Sequence, residues 1–536
     1  RPLPGCSVRA ARGTSSAMAL RHLRLVLGDQ LDPGALADLD PERDALWMAE
    51  VDRESTHVPA HKQRVLMFLS AMRHFRRARV EEGWTVHYRE LPKRRAKREP
   101  ASLGEALGAD LAELAPQRIS VLEPGDLRVR AELEAASDDA GFPLEVLEDP
   151  RFLCSRADFS DWAHGRKTFV LEHFYRMMRK RTGVLMEPDG KPTGGDWNFD
   201  ADNRKSFGRD GPPSIPPLPG HAWDPITEEV AELVRERFAD HPGDLEDFTM
   251  PVTPGEAEAL ADHFVEHCLP RFGPHQDAMW SDDVVLWHSR LSAPLNLGLI
   301  GPRTLIDRAV AAHAAGEADI QSVEGFVRQI LGWREFVRGV YFALMPEYAE
   351  RNALDCADRD VPGFFWDAET DMACVAASVR GLVRLGYVHH IHRLMVLGLF
   401  ALQLGVHPYR FHAWHMAMYL DAVDWVSLPN ALGMSQYGDG GVVGTKPYAA
   451  TGKYIQRMSN HCSGCRYDPA KAVGDAACPF TTLYWDFLDR HRERFSGNRR
   501  MALQVKNVER KSEDELEAIR DAAARLRGRI DAGERI

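Results

Sequence analysis

The hydrophobic pattern changes period once along the chain, and that change restricts the fold more than any other feature. Strand-like apolar runs at 23–27, 45–51, 85–91, 118–123 and 144–147 alternate with helical stretches up to Pro150. Between the second and third runs, Val65, Phe68, Leu69, Met72 and Phe75 recur at helical spacing. Such alternation predicts an α/β domain with a doubly wound parallel sheet. Ligands in these sheets sit at the carboxyl ends of strands, beside the point where strand order reverses. Here those ends read Gly28-Asp29-Gln30, Glu50 and Glu123-Pro124-Gly125. No G-x-G-x-x-G follows a strand, so a Rossmann-type pyrophosphate site is unsupported.

Past Pro150 the pattern changes. Gly194-Gly195, Pro212-Pro213, Pro216-Pro217 and Pro219 mark 151–252 as an extended connector. From Thr253 the chain reads as helical, with helices expected near 255–270, 301–316, 322–344, 372–405, 408–424 and 480–494. The organisation is therefore an α/β domain at 21–150, the connector, a large all-α domain at 253–505 and a C-terminal helix at 506–536. That last helix opens on Ser512-Glu513-Asp514-Glu515, which has the form of a capping box. Residues 1–20 carry Arg, Ser, Gly and Pro without an apolar core. They are expected to be a disordered extension ahead of Met18 rather than a secretory signal.

The most specific local motif is Cys462-x2-Cys465-x12-Cys478. Three thiols this close can share one metal centre, with a fourth soft ligand supplied from elsewhere. Ligand type alone leaves a structural zinc and an iron–sulfur cluster equally open. Eight Cys in 536 residues are too sparse for a disulfide framework and suit a reducing compartment. No run approaches the roughly 20 apolar residues of a membrane span. A formal net charge of −12 argues against a protein that coats nucleic acid over its whole surface, but is compatible with a local basic groove.

Two further groupings carry possible chemistry. Tyr387-Val388-His389-His390-Ile391-His392-Arg393 reads as a helical stretch whose adjacent His residues line a pocket wall, where imidazoles hold and protonate a substrate near neutral pH. The plainer reading makes them satisfied core histidines. Trp333, Trp366, Trp414, Trp425 and Trp485 enrich the helical half, and core packing is the ordinary reason for that. The basic run Lys93-Arg94-Arg95-Ala96-Lys97-Arg98 reads either as a phosphate contact or, more simply, as a solvated loop.

Taken in order, the motifs resemble those of the prokaryotic (6-4) photolyases, the iron–sulfur branch of the photolyase–cryptochrome group. The resemblance runs from Leu23 to about Leu503. It rests on Leu27-Gly28-Asp29-Gln30-Leu31, Ser70-Ala71-Met72-Arg73-His74-Phe75 and Gly195-Asp196-Trp197-Asn198-Phe199-Asp200. It continues through 329–336, Tyr387-Val388-His389-His390, 428–436 and the cysteine motif.

The resemblance implies a light-driven flavoprotein that reverses (6-4) photoproducts in ultraviolet-damaged DNA, acting as a monomer in the bacterial cytoplasm. It implies a 4Fe–4S cluster on Cys374, Cys462, Cys465 and Cys478, pinning the C-terminal segment to the helical domain. It implies FAD held by His288, Ser289, Leu291, Ser292, Trp333, Glu335, Arg393, Asp421, Asp424 and Asn430. The catalytic pair is then His389 and His390, with Tyr448 in the same pocket. Trp414 and Trp366 match an electron relay, in which His415 stands where a Tyr is common. A 6,7-dimethyl-8-ribityllumazine antenna would sit at the sheet edge near Asp29, Gln30, Glu50 and Glu123. Two other classes compete: a cryptochrome that signals with little or no repair, and a nucleic-acid-binding protein built on a four-cysteine zinc site.

Overall fold

The computed structural model describes residues 20–166, 168–208 and 210–536, so the N-terminal extension and Cys6 lie outside the described residues. All five expected strands form: β1 (His22–Leu25), β2 (Asp44–Ala49), β3 (Thr85–Arg89), β4 (Arg118–Leu122) and β5 (Leu144–Leu147). They make one parallel sheet in the order β3-β2-β1-β4-β5. Successive side chains point to opposite faces, which is why near-continuous apolar strands suit a sheet covered twice. Val26, Leu46 and Met48 pack against the helix Lys62–Glu81, through Val65, Leu69 and Met72. Leu23, Leu25, Trp47 and Val121 face the helices Leu103–Leu114 and Leu127–Asp139. Strand order reverses between β1 and β4, so the crevice lies beyond Leu27 and Leu122.

Residues 151–252 differ from the expected extended connector. Three helices form there, Arg156–Ala163, Leu171–Thr182 and Pro225–Arg237. Ser155 and Asp158 close a capping box on the first, and Asp224 caps the third with Pro225 in its opening turn. Phe159 and Phe174 pack on Phe336 of the helical domain, while Val230 and Val234 join the core beneath helix Lys62–Glu81. Prolines and glycines are confined largely to 187–224, between these helices.

The second half is helical as expected, with one informative break. The helix expected over 372–405 divides into Ala373–Leu385 and a segment over 390–404. Gly386 ends the first piece at φ 58°, where a Cβ would meet Leu420 at 2.5 Å. His389 is extended and its ring caps the start of the second piece. A widened π turn follows at Arg393–Gly398, a distortion frequent at functional sites. Ser512 and Glu515 form the anticipated capping box on the final helix, Glu513–Asp531. Among the described residues no helix is long and apolar enough to cross a membrane.

Candidate functional site

At the strand reversal a cleft opens between the sheet edge and the helical domain. Gly28, Asp29, Glu50, Asp126 and Arg128 line one wall, and Met416, Val423 and Asp424 line the other. The two domains meet tightly beside it: Trp425 donates its backbone N–H to Gly125 O at 3.0 Å, and a Cβ on Gly125 would lie 2.6 Å from the Trp425 ring. Burial pushes Asp29 up to about 6, against the pull of Arg151. Burial and then the neighbouring Asp424 likewise push Asp126 up to about 6.

The other sheet-edge residues are committed elsewhere. Glu50 touches the cleft, but its carboxylate accepts from Arg73 at 2.8 and 2.9 Å, Tyr88 Oη at 2.5 Å and Leu91 N at 2.9 Å. Gln30 is buried behind the cleft and donates to Leu122 O at 3.0 Å, tying β1 to β4 across the reversal. Glu123 is paired with Arg130 and Arg156. Neither Gln30 nor Glu123 lines the cleft. The basic run is also neutralised at its start: Lys93, Arg94 and Arg95 pair with Glu232, Glu236 and Asp52.

Within the helical domain, Arg393 Nη1 lies 2.9 Å from Asp421 Oδ1. Ser292 Oγ donates to the other Asp421 oxygen at 2.6 Å, and Asn296 Nδ2 donates to the Asp421 carbonyl at 2.9 Å. Burial alone would raise Asp421, but Arg393 outweighs it and holds the carboxyl below its ordinary range. The Arg393 guanidinium also lies 4.2 Å over the Tyr419 ring. Next to Ser292, Arg290 adopts φ 54° and is buried, with Nε and Nη2 unpartnered and only Nη1 bonded, to Thr249 Oγ1 at 3.1 Å. Burial pushes this guanidinium down to about 10. A strained residue carrying an uncompensated buried cation is a ready partner for a phosphate.

The structure thus gathers Ser292, Arg393 and Asp421, with Ser289 and Leu291 in the adjoining turn. Asn430 lies in a π turn and bonds Val426 O at 2.8 Å. Trp333 and Glu335 belong to a different group, in which Glu335 accepts from Arg334 at 2.7 Å and from Cys154 N at 2.9 Å. Asp424 faces the interdomain cleft, accepting from Tyr341 Oη at 2.5 Å and bonding His412 Nε2 at 3.0 Å.

The break after Gly386 separates the two histidines by environment. His389 is fully buried and stacked on His288 at 4.2 Å and 6°. Burial and the surrounding imidazoles hold it well below the ordinary histidine value, so it is neutral. His390 is half open to solvent, with Nε2 3.4 Å from Asp277 Oδ1. Ring nitrogens of His288, His389 and His390 approach within 4.8 Å, but parallel stacked rings do not converge their in-plane lone pairs on one ion. Tyr448 is half-buried, and burial raises its phenol.

Trp414 is buried, donating to Phe365 O at 3.3 Å, whereas Trp366 next to Phe365 is 36% exposed. Tyr419 bridges from Trp414, at 5.9 Å between ring centroids, to Arg393, and it stacks on His415 at 4.1 Å. Burial and Arg393 push His415 down to about 3, so that ring is neutral.

Cys374, Cys462, Cys465 and Cys478 line one small cavity, walled by Met372, Ile455 and Phe480. Burial, then the three other thiols, raises Cys374 far above the usual thiol value, the expected result of crowding soft donors without a cation. Gly452 leaves room there: a Cβ would lie 2.8 Å from Cys478 Sγ. The C-terminus is tied in alongside, with Asp371 N donating to Ile536 O at 2.6 Å. Donor type, apolar walls and the glycine gap all fit a bound metal centre.

Residues 24–250 match the family model described as deoxyribodipyrimidine photo-lyase-related protein. The chain is 42% identical over 519 residues to a (6-4) photolyase of Agrobacterium fabrum, covering 96% of this chain and 100% of that one. Among solved structures, a bacterial class III photolyase from Agrobacterium tumefaciens superposes with a TM-score of 0.56 at 13% identity, over 96% of this chain and 99% of that one. A Synechocystis cryptochrome superposes with a TM-score of 0.51 at 13% identity, over 82% and 88%. A doubly wound sheet joined to a helical domain, carried by a relative this similar over nearly its whole length, places the assignment beyond the fold alone: the chain belongs to the photolyase–cryptochrome family.

Proposed function

We propose that the chain is a light-driven (6-4) photolyase carrying FAD, a 4Fe–4S cluster and a lumazine antenna, and acting on ultraviolet-damaged DNA. The observation that carries the reading is the turn after Gly386. It sets an open His390 and a neutral, buried His389 three and four residues before Arg393 of the Arg393–Asp421 pair. A base that must meet these groups has to leave the duplex stack first.

Arg393 and Asp421 would hold an FAD that, once reduced and excited by blue light, would supply the electron for splitting the lesion. Arg393 would set a fixed positive charge beside it, and Asp421 with Ser292 holds that guanidinium in place. Arg290 has two unpartnered N–H groups for the pyrophosphate. His390 gives a proton from its ring to the fragmenting base, with Asp277 orienting Nε2 and His389 packed behind. Tyr419 and Trp414 would carry an electron away from the Arg393 side, and Trp366, next to the Phe365 that packs on Trp414, would be its exposed end.

Four cysteines on one cavity supply the all-thiolate donor set of a 4Fe–4S cluster, and the resemblance to the iron–sulfur branch favours that reading over zinc. The interdomain cleft supports the antenna through Asp29, Asp126 and Arg128, set among apolar walls, which suits a flat heterocycle with a hydroxylated chain. Blue illumination of the reduced, full-length protein with oligonucleotides carrying a (6-4) or a cyclobutane lesion tests the reading. Restored bases from the (6-4) substrate are expected. Repair of neither lesion would transfer the chain to the signalling cryptochromes, and a colourless protein would return it to the zinc alternative.

A further inference from the structure

The row of imidazoles containing His389 continues away from the repair pocket. His389 packs edge-on against His392, with ring centroids 4.5 Å apart, and His392 packs against His461 at 5.9 Å. All three are buried, at no more than 3% exposure. His461 immediately precedes Cys462 and forms part of the wall of the four-cysteine cavity. One end of the row therefore touches the proposed repair site, and the other touches the cysteine centre.

Hydrogen placement along the row leaves donors on His389 and His461 unused. Ser378 Oγ donates to the carbonyl of Cys374 at 2.8 Å, and it lies 2.8 Å from His392 Nδ1. With its single proton committed to Cys374, Ser378 must accept from His392, which fixes the His392 N–H at Nδ1. His461 is different: neither of its ring nitrogens has a partner. A neutral imidazole always carries one N–H, and a buried donor without an acceptor is costly. No cysteine sulfur is within hydrogen-bond reach of either nitrogen, so the acceptor would be one that a sulfide-bearing centre brings to the cavity His461 lines.

We propose that His461 is a positioning residue that donates an N–H hydrogen bond to sulfur of the four-cysteine centre, and that His392 transmits the resulting order to His389. The proposal rests on the reading of that centre as an iron–sulfur cluster. Hydrogen bonds to cluster sulfur stabilise the electron-richer state and so raise the reduction potential. The centre then does more than pin the C-terminal segment, because its occupancy helps hold the back wall of the repair pocket.

The test compares full-length wild type, His461→Phe and His461→Gln, purified without oxygen and assayed for iron and sulfide. In His461→Phe, with iron retained, the cluster potential should fall, and repair should slow severalfold with flavin content and lesion binding unchanged. His461→Gln, which keeps an N–H donor, should recover both. If His461→Phe does not hold iron, pulsed electron paramagnetic resonance on reduced, 15N-histidine-labelled wild type decides the matter. A weakly coupled imidazole nitrogen is expected, and its absence would overturn the hydrogen bond. An unmoved potential at full iron would overturn it too. A shifted potential with unchanged repair would overturn the link to His389. Wild type lacking iron and sulfide would contradict the cluster reading itself, and the proposal would fall with it.

Discussion

Arg393 and Asp421 form a buried ion pair, 2.9 Å from Nη1 to Oδ1, with the Asp421 second oxygen occupied by Ser292. Removing one partner of such a pair strands the other charge. Asp421→Ala should therefore destabilise the protein by about 3–5 kcal/mol and release flavin. Asp421→Asn keeps an acceptor for Ser292 and should cost less. Chemical denaturation together with flavin absorbance after gel filtration checks both, and equal stability of Asp421→Ala and wild type would reject the pair as a structural element.

Photoreduction depends on how aromatic rings connect Arg393 to solvent. Trp414→Phe should slow light-driven flavin reduction by an order of magnitude or more, since Trp414 is the buried ring between Tyr419 and the Phe365–Trp366 turn. Tyr419→Phe should give a smaller loss, and His415→Tyr a gain, because His415 is held neutral and stacks on Tyr419. Steady illumination with an external reductant, followed by flavin absorbance, reads all three. An unchanged rate in Trp414→Phe would count against this path.

The interdomain cleft has a pH signature. Asp29 is pushed up to about 6 by burial, above the roughly 3.9 of an unfolded Asp. The folded state therefore binds this proton more tightly. Its contribution to stability is fully present below about pH 4 and is lost as pH rises through 6. Asp29→Asn removes the charge, so the variant should exceed wild type by about 3 kcal/mol at pH 8 and match it below about pH 4. Thermal unfolding across that range checks the sign. A variant less stable than wild type at pH 8 would show that Asp29 is not desolvated.

The cysteine centre should behave as a folding element. Cys462→Ser is expected to lose stoichiometric iron and sulfide and to expose 452–480 and the C-terminal helix to protease, because Cys374 sits beside the Asp371–Ile536 tie. Iron assay with limited proteolysis is the measurement. Unaltered protease resistance in iron-free protein would confine the centre to a non-structural role.

Much of the sheet was legible because burial on both faces leaves apolar runs with turn residues between them, and the strands at 22–25 and 44–49 follow that signal. The helices Arg156–Ala163, Leu171–Thr182 and Pro225–Arg237 were hidden by the Gly and Pro between them, which dominate the composition without occupying the helices. In the site, motif matches named Arg393, Asp421 and His390, but they could not say which way a side chain faces. Gln30, Glu123 and Asp424 sit at the right chain positions with their polar atoms spent on Leu122, on Arg130 and Arg156, and on Tyr341 and His412. Asp277, Tyr419 and His461 carry weight through contacts made at a distance in sequence, and no local motif marks those.

The central claim is that His390 supplies the proton for lesion repair. Single blue flashes delivered to reduced enzyme bound to a (6-4) oligonucleotide test it directly, with restored thymines counted per flash. Wild type should accumulate product with each flash, whereas His390→Ala should yield none while keeping its flavin and its lesion affinity. Repair by His390→Ala at the wild-type yield would contradict the account.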